Sequence, residues 1–362
     1  MFQTSKSAVS GYQNLPGNAL QKNIKVLFVC SGNTKGFEVV PFIKAQGESL
    51  KKAGIEVDYF PIVGKGLRGY FKASQQLRQH LKNNPYDLIH AHFTHSGWTA
   101  VMAAGRTPVI LSLMGSDAYG EYIGINKVQL KSRANTLLTY LIQPFTKAII
   151  SKSQNIEDYV YLKQKSYIIP NGINKDKFKP DSTYTKVDLG LDPSKKHVLF
   201  LGSKTNVRKN FKLAEQAVSK LGLPNVELIN PYPVSHTEIP KYLNTADVLA
   251  LTSLMEGSPN VVKEAMACNC PIVSTDMGDV KWVMGNTPGC YLSSFNADDF
   301  ADKLRQALEF SEKTARTSGE LRIRELGLDA DTIANRVIEV YNTALKQHAS
   351  NNIIASPTPF AS

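Results

Sequence analysis

Short apolar runs alternate with amphipathic stretches along this chain, and the series occurs twice. This pattern constrains the fold more than any other feature of the sequence. Short apolar runs bounded by turn residues are typical of strands buried on both faces of a parallel sheet, and the stretches between them have helical periodicity. Apolar runs predict strands over residues 24–30, 56–62, 87–92, 108–113, 148–151 and 166–169, and then over 197–201, 226–230, 247–251 and 271–274. The pattern predicts an α/β fold built twice.

The length of 362 residues also favours two domains. Residues 170–196 are rich in Pro, Gly, Asp and Lys without periodicity, which is typical of a linker. The predicted division is a flexible N-terminus over 1–22, domains over 23–175 and 176–328, a C-terminal helix over 329–348 and a disordered tail over 349–362. Within the first domain we also predict one long helix over 126–143 and a shorter helix over 155–163.

Charge is distributed unevenly between the two halves. Residues 1–180 contain 23 Lys and Arg against 10 Asp and Glu, whereas the remainder has 19 basic and 21 acidic residues. A basic half indicates an anionic partner: a charged substrate, an acidic membrane surface or a nucleic acid. A solvated surface without a partner is the alternative. No recognition-helix, zinc-finger or RNP pattern is present, so we expect no nucleic-acid partner.

Several classes of protein are disfavoured by composition. The four cysteines are scattered, no apolar run is long enough for a membrane span, and residues 1–21 lack the apolar segment of a secretory signal. We therefore expect a cytoplasmic protein with reduced cysteines. No Cys or His cluster has metal-ligand spacing, so we expect no metal site.

Residues 254–267 carry the strongest local signal for a ligand site. Ser258 is a favoured N-cap, and Pro259 suits the first helical position, where its missing N–H is no loss. The amides of Asn260, Val261 and Val262 would then be unpaired at the positive end of the helix dipole, which favours a phosphate or diphosphate. Glu256 precedes this helix and Glu264 lies about two turns along it, and their carboxylates suit sugar hydroxyls. The alternative is that Glu256 is an ordinary residue of a surface loop and Glu264 an ordinary charge on the face of a helix.

This stretch resembles the retaining GT-B glycosyltransferases of family four, because Glu256 and Glu264 have the spacing of their EX7E motif. Four more segments are similar to family motifs, in the family's order. They are residues 86–92 (YDLIHAH, the strand ending in HxH), 113–117 (LMGSD, where HGSD is usual), 169–174 (IPNGIN, the PNGID signature) and 202–210 (GSKTNVRKN, the diphosphate loop).

The resemblance implies a GT-B fold, with two Rossmann-like domains facing a central cleft. The first would bind the acceptor and the second the nucleotide sugar, and the C-terminal helix would return to the first domain. Catalytic roles are implied for Glu256, Lys209 and Arg208, with Lys209 neutralising the diphosphate leaving group. Donor contacts are implied for Glu264, Gly257, Ser258, Asn260, Val261, Val262, Gly202 and Gly32. Acceptor or cleft positions are His92, Asp117 and Asn171.

Two positions depart from the family pattern. Met114 replaces the usual His, and Met cannot donate the hydrogen bond that the His makes to the donor sugar. Either another residue makes that contact or catalysis is impaired. Ser203 stands where an Arg usually follows the glycine, and Arg208 or Lys204 could compensate.

The resemblance therefore implies a metal-independent, retaining hexosyltransferase. It would use a UDP-, GDP- or ADP-sugar without a cofactor and act on a saccharide or lipid-linked acceptor in polysaccharide, lipopolysaccharide or glycolipid biosynthesis. The acceptor is expected to be anionic, or the basic residues of 126–147 contact the inner face of the cytoplasmic membrane. Ordinary packing of that helix on the sheet is the alternative. The rival functions are a sugar-nucleotide epimerase of the same fold and a non-catalytic nucleotide-sugar-binding protein.

Overall fold

The computed structural model describes residues 23–34, 36–64 and 66–354. The predicted flexible segment 1–22 lies outside these residues. The strands are β1 (Lys25–Ser31), β2 (Glu56–Ile62), β3 (Leu88–His92), β4 (Val109–Leu113), β5 (Tyr122–Gly124), β6 (Lys127–Val128), β7 (Ala148–Ser151), β8 (Ser166–Ile168), β9 (Lys196–Leu199), β10 (Val226–Ile229), β11 (Val248–Leu251), β12 (Ile272–Thr275) and β13 (Cys290–Ser293).

The helices alternate with the strands, as the periodicity predicts. They are α1 (Pro41–Lys52), α2 (Gly66–Asn83), α3 (Thr94–Ala103), α4 (Ser116–Tyr119), α5 (Arg133–Ile142), α6 (Gln154–Glu157), α7 (Phe211–Leu221), α8 (Ile239–Thr245), α9 (Asn260–Ala267), α10 (Val280–Met284), α11 (Ala297–Thr314), α12 (Gly319–Glu325) and α13 (Ala330–Ile354).

The chain forms two compact units. The first unit contains the chain up to Gly120, then Lys131–Pro170 and the chain from Asp331 onward, and the second contains Glu121–Leu130 and Asn171–Ala330. The chain passes into the second unit after Pro170, at the start of the segment predicted as a linker.

In the first unit, six parallel strands form a sheet with the order β2-β1-β3-β4-β7-β8. All side chains of β3 and β4 are buried, which is the reason these strands read as apolar runs without alternation. Strands β2 and β3 follow one another in the chain but pair with opposite sides of β1, so the strand order reverses between β1 and β3. In sheets of this kind, ligands bind beyond the carboxyl ends of the strands at that reversal.

The second unit repeats this architecture with five parallel strands in the order β10-β9-β11-β12-β13. Val198, Val248 and Val273 from three of the strands pack with Phe300 and Leu304 of α11 in one buried core. The order reverses between β9 and β11. The predicted α/β class with two Rossmann-like domains is confirmed.

Three local predictions were wrong. The predicted helix over 126–143 is instead a hairpin of β5 and β6, followed by the shorter α5. Asn126 has a φ of 56° in the turn, and Asn is one of the few residues that tolerate this left-handed conformation. The predicted helix over 155–163 is the single turn of α6. Disorder was predicted from residue 349, but α13 continues to Ile354, because Pro357 is the first helix breaker beyond it.

Candidate functional site

The second unit brings the predicted catalytic residues together at the reversal of its strand order. The loop after β9 contains Arg208 and Lys209, and the loop after β11 contains Glu256. Because β9 and β11 are neighbours in the sheet, their carboxyl ends place these two loops side by side. The amide of Leu254 donates to the carbonyl of Arg208 at 2.8 Å, which joins the loops directly.

Glu256 pairs with both cations. The Lys209 Nζ lies 2.7 Å from Oε1 of Glu256, and the Arg208 Nη1 lies 2.7 Å from Oε2. The hydroxyl of Ser253 donates to Oε1 at 2.8 Å. Burial alone would raise the pKa of Glu256, but the two cations and these hydrogen bonds outweigh it, so the pKa is lowered. The carboxylate is therefore ionised and holds both cations in fixed positions.

The backbone around the two cations is braced by side chains. Asn206 accepts a hydrogen bond from the Arg208 amide at 3.1 Å and so starts the single 3-10 turn Val207–Lys209. Thr252 donates to the carbonyls of Lys209 and Asn210, both at 2.9 Å. At Gly202, a Cβ would lie 3.3 Å from the Cγ of Lys209, so the missing side chain leaves room for the lysine.

The start of α9 differs from its prediction by one residue. Pro259 is the N-cap and Asn260 the first helical residue, because the Ser258 hydroxyl is engaged elsewhere: it donates to Asp279 at 2.6 Å and accepts from Lys263 at 2.9 Å. The amide of Val262 donates to the Pro259 carbonyl, so the prediction that it is open to a ligand was wrong. The two preceding amides, those of Asn260 and Val261, stay as predicted donors to a phosphate.

Glu264 is a residue of α9, and Asn171 forms hydrogen bonds to that helix. Glu264 is 6% exposed and pairs with the Nε2 of His236 at 3.2 Å. Asn171 donates from its side-chain amide to Asn260 at 3.4 Å, and its backbone carbonyl accepts from Lys263 at 3.0 Å. Both predicted residues are thus near the helix that carries the amide donors.

Two residues beneath the Glu256 loop were missed by the sequence reasoning. Lys263 and Asp279 are buried, and the Ser258 hydroxyl bridges them. Burial lowers the pKa of Lys263 to about 8 against the opposing charges of Asp279 and Glu264. Burial raises the pKa of Asp279 to about 6 against the opposing effect of Lys263. The available signal was a lysine beside Glu264 in residues 261–267, a run whose other five residues are apolar.

Gly278 was missed as well. It has a φ of +65°, and a Cβ there would lie 2.1 Å from the carbonyl oxygen of Gly257 and 2.7 Å from that of Glu256. The next amide, that of Asp279, donates to the Gly257 carbonyl at 3.2 Å. Gly257 therefore packs directly on a turn that only glycine fits.

In the first unit, the predicted residues His92 and Asp117 have different environments. His92 is fully buried, stacks on His90 with ring centroids 4.3 Å apart and contacts Phe28. Its ring nitrogens have no hydrogen-bond partner among the described residues. Burial, followed by the charges of His90 and Lys152, holds its pKa well below the usual value. His92 is a neutral core residue, not the predicted acceptor contact.

Asp117 shapes the loop after β4. Its carboxylate accepts hydrogen bonds from the amides of Gly115 at 2.8 Å, Met114 at 3.1 Å and Thr94 at 3.2 Å. Burial raises its pKa, and these amides oppose that effect. Asp117 therefore fixes the backbone of the half-buried Met114.

Close packing explains why residue 32 is a glycine, Gly32. Its amide donates to the Ile62 carbonyl at 2.9 Å, and a Cβ would lie 2.9 Å from the Cβ of Pro61. The glycine thus lets the loop after β1 contact the end of β2. Its predicted contact with the donor stays a prediction.

A cavity of about 360 Å³ lies within the first unit, beyond the carboxyl ends of β1, β3 and β4. Its lining combines aromatic rings with hydroxyl, imidazole, amide and carboxylate groups. The lining residues are Ser31, Thr34, Val40, Phe42, Tyr70, Phe93, His95, Ser96, Ser116, Asp117 and Asn135.

Solved structures share this architecture. Sucrose-phosphate synthase from Thermosynechococcus elongatus matches with a TM-score of 0.70 and 15% identity, over 90% of this chain and 100% of that one. Anabaena HepE in complex with UDP matches with a TM-score of 0.67 and 17% identity, over 88% and 100%. The fold is that of the GT-B glycosyltransferases.

Sequence comparisons give the family. Residues 190–309 match the model described as "Glycosyl transferases group 1", and residues 18–177 match "Glycosyltransferase Family 4". A Bacillus subtilis protein named as the teichuronic acid biosynthesis glycosyltransferase TuaC is 25% identical over 60% of each chain. The D-inositol 3-phosphate glycosyltransferase of Xylanimonas cellulosilytica is 23% identical over 74% of each. The chain belongs to the group 1 glycosyltransferases.

Proposed function

We propose that the protein transfers a hexosyl unit from a nucleotide diphosphate sugar to a saccharide or lipid-linked acceptor, with retention of configuration. The observation that carries this proposal is the buried Glu256 holding Lys209 and Arg208 beside the start of α9. Two cations around one carboxylate leave one net positive charge, and the amides of Asn260 and Val261 lie four and five residues after Glu256 in the chain. This arrangement suits a diphosphate.

In the proposed reaction, the bond between the anomeric carbon and the phosphate oxygen breaks. The acceptor oxygen bonds to the same face of that carbon, and the acceptor proton passes to a phosphate oxygen. Negative charge develops on the departing phosphate, where Lys209 and Arg208 stabilise it more than they stabilise the ground state. Glu264 would accept from the ribose hydroxyls and Glu256 from a hydroxyl of the donor sugar. Arg208 contacts Glu256 and Lys204 lies over the Phe211 ring, so Arg208 is the better substitute for the Arg replaced at Ser203.

The Anabaena HepE structures, which contain UDP or UDP-glucose, support a UDP-sugar as donor. We expect UDP to raise the melting temperature of the wild-type protein, because a ligand that binds only the native state stabilises it. Lys209→Met should lose most of this shift. Lys212→Met, an exposed lysine at the start of α7, is the matched control and should keep it. Equal shifts of the melting temperature in both variants would show that Lys209 is not part of the donor site. GDP and ADP are tested in the same way as alternative nucleotides.

One experiment determines both the stereochemistry of the transfer and the class of protein. If UDP-glucose is hydrolysed slowly without acceptor, NMR should show α-glucose as the first-formed anomer, and β-glucose would contradict retention. Formation of an epimeric UDP-sugar without release of UDP would indicate an epimerase. If the protein binds UDP but neither hydrolyses nor transfers from UDP-, GDP- or ADP-sugars, the non-catalytic alternative holds.

We also propose that the reaction is metal-independent, since Lys209, Arg208 and the helix amides supply the positive charge a metal would bring. The described part of the chain has no group of three or more His, Cys, Asp or Glu side chains placed to hold a metal ion. Hydrolysis should continue in EDTA. Loss of activity in EDTA with recovery on adding magnesium would contradict the proposal.

The acceptor is proposed to be an intermediate of polysaccharide or glycolipid biosynthesis at an anionic membrane. None of the helices that the structure describes has the length and apolarity to span a bilayer. However, α5 and the turn after it expose an apolar face: Leu137 is 59% exposed, Leu141 51% and Phe145 61%. This observation favours the membrane over packing on the sheet. The exposed basic residues Lys131 and Arg133 precede this face in the chain.

Flotation with vesicles tests this surface. The protein should float with phosphatidylglycerol-containing vesicles and not with phosphatidylcholine vesicles, and salt should weaken the binding. Leu141→Glu should reduce binding several-fold. Leu321→Glu changes a leucine of the second unit that is 53% exposed and should have no effect. Binding that is absent, or equally reduced by both substitutions, would argue against a membrane-facing α5.

A further inference from the structure

The cavity of the first unit lies where its topology predicts a ligand. The strand order reverses between β1 and β3, and the cavity is bounded by Ser31 at the end of β1, by Phe93 after β3 and by Ser116 after β4. Open parallel sheets bind ligands at this edge. The position follows from the fold alone and is independent of the cations in the second unit.

The chemistry of the lining suits a sugar ring. Phe42, Tyr70 and Phe93 provide aromatic faces, whose negative charge density attracts the C–H groups on the apolar face of a pyranose. Hydroxyl groups of Ser31, Ser96 and Ser116 can donate or accept hydrogen bonds with the ring hydroxyls. His95, whose ring lies 5.1 Å from that of Tyr70, adds a further polar contact, and burial lowers its pKa so that it is neutral near pH 7.

The size limits the ligand. At about 360 Å³ the cavity is near the lower end of small-molecule pockets, which span roughly 300–1,000 Å³. One sugar ring with its hydroxyl groups fits this space better than an extended oligosaccharide, whose remaining rings would lie outside.

Phe93 supplies a second, independent observation. Its φ is 71° and its ψ 149°, a conformation that is disfavoured for a bulky residue and that glycine adopts easily. The neighbouring backbone fixes it, since the Phe93 amide donates to Ser112 at 3.0 Å and the Thr94 amide donates to Asp117. Strained residues of this kind cluster at ligand sites. A phenylalanine in a conformation that suits glycine indicates that its ring is needed.

We infer that this cavity is the subsite for one pyranose ring of the acceptor, stacked on Phe93 and Tyr70. The inference rests on the proposed function in calling the ring an acceptor ring, because the groups proposed for the donor diphosphate are in the second unit. Phe93 and Tyr70 are then specificity-determining residues for the acceptor and have no part in binding the nucleotide.

Saturation-transfer NMR with a panel of methyl hexopyranosides at millimolar concentration tests the subsite directly. At least one glycoside should receive saturation from the wild-type protein. Phe93→Gly, which keeps the backbone conformation without strain, and Tyr70→Ala should each lose at least about nine-tenths of that signal. Phe71→Ala is the matched control, since Phe71 is 58% exposed, follows Tyr70 in α2 and does not line the cavity.

The thermal shift with UDP separates this inference from the proposed function. All three variants should keep the wild-type UDP shift, which also shows that they fold; if Phe93→Gly does not, Tyr70→Ala decides. A missing UDP shift in the wild type would count against the donor site, while glycoside binding that depends on Phe93 would still establish the subsite. No saturation of any glycoside, or saturation that both substitutions leave intact, would overturn the inference.

Discussion

Replacing Gly278 by alanine should damage the candidate donor site without removing any of its functional groups. The new Cβ would lie 2.1 Å from the carbonyl oxygen of Gly257 and 2.7 Å from that of Glu256, whereas ordinary contacts begin at 3.4 Å. Both oxygens belong to the backbone, so no flexible side chain can move aside. The loop that carries the Glu256 carboxylate must therefore shift.

A second glycine provides the control. Gly222 ends α7 with a φ of +63°, close to the +65° of Gly278, but a Cβ there would meet nothing within 4 Å. Both substitutions incur the same penalty for a left-handed alanine, about 1–2 kcal/mol. In a unit of this size that penalty lowers the melting temperature by roughly 2–8 °C. Any further loss in Gly278→Ala comes from the contact with residues 256 and 257.

The magnitude follows from the geometry. The carbonyl of Gly257 must retreat by about 1 Å, and a displacement of that size can lower the rate of a catalysed reaction about 100-fold. The 2.7 Å contacts of Glu256 with Lys209 and Arg208 would lengthen with it. We expect kcat/KM for the donor to fall by about 100-fold in Gly278→Ala and to stay near wild type in Gly222→Ala. Similar kcat/KM values for both variants, measured by release of UDP, would refute this reasoning.

Three further predictions concern charged groups of the second unit. Glu256→Gln should lower turnover by at least about 10-fold while UDP still binds, because both cations remain; a parallel loss of UDP binding would show that the carboxylate is needed to position them. Lys263→Met should lower kcat/KM and Lys263→Arg should restore part of it, since Lys263 links Asn171 to Ser258; equal activity of the two variants and the wild type would exclude a positioning role. Asp279 has a pKa raised to about 6, so its contribution to stability is complete below about pH 4 and is lost as the pH rises through 6. Relative to Asp279→Asn, the free energy of unfolding of the wild type should fall by about 2–3 kcal/mol between pH 4 and pH 7, and denaturant titrations showing a constant difference would contradict it.

The sequence predicted what depends on local pattern. Strands buried on both faces must be apolar throughout, so the runs at residues 24–30 and 197–201 were recognisable without any tertiary information. The family motifs then identified Glu256 and Lys209, 47 residues apart in the chain, and the neighbouring positions of β9 and β11 explain why they meet.

What the sequence did not predict depends on tertiary contacts. Lys263 occupies an ordinary helical position, and only the approach of Asp279 and the Asn171 carbonyl explains a lysine that is fully buried. Gly278 is one of many glycines until its contact with Gly257 is known. His90 and His92 belong to the same HxH motif, but the sequence does not indicate that the ring of His92 is fully buried.

In the described part of the chain, several features that oppose stability lie at the carboxyl edges of the two sheets. Burying a carboxylate with two cations costs hydration free energy, and the ion pairs do not reliably compensate for that cost. A protein with apolar residues of similar size in such a place is often equally stable. The same argument applies to the buried Lys263, and the backbone of Phe93 adds strain on the other sheet. Proteins depart from locally favourable choices mainly where function requires it. Because the unfavourable groups of the second unit are ionic and Phe93 in the first is aromatic, the two edges are suited to different ligands. The ionic edge suits a diphosphate and the aromatic edge a sugar ring, which is the division of substrates that a sugar transfer from a nucleotide requires.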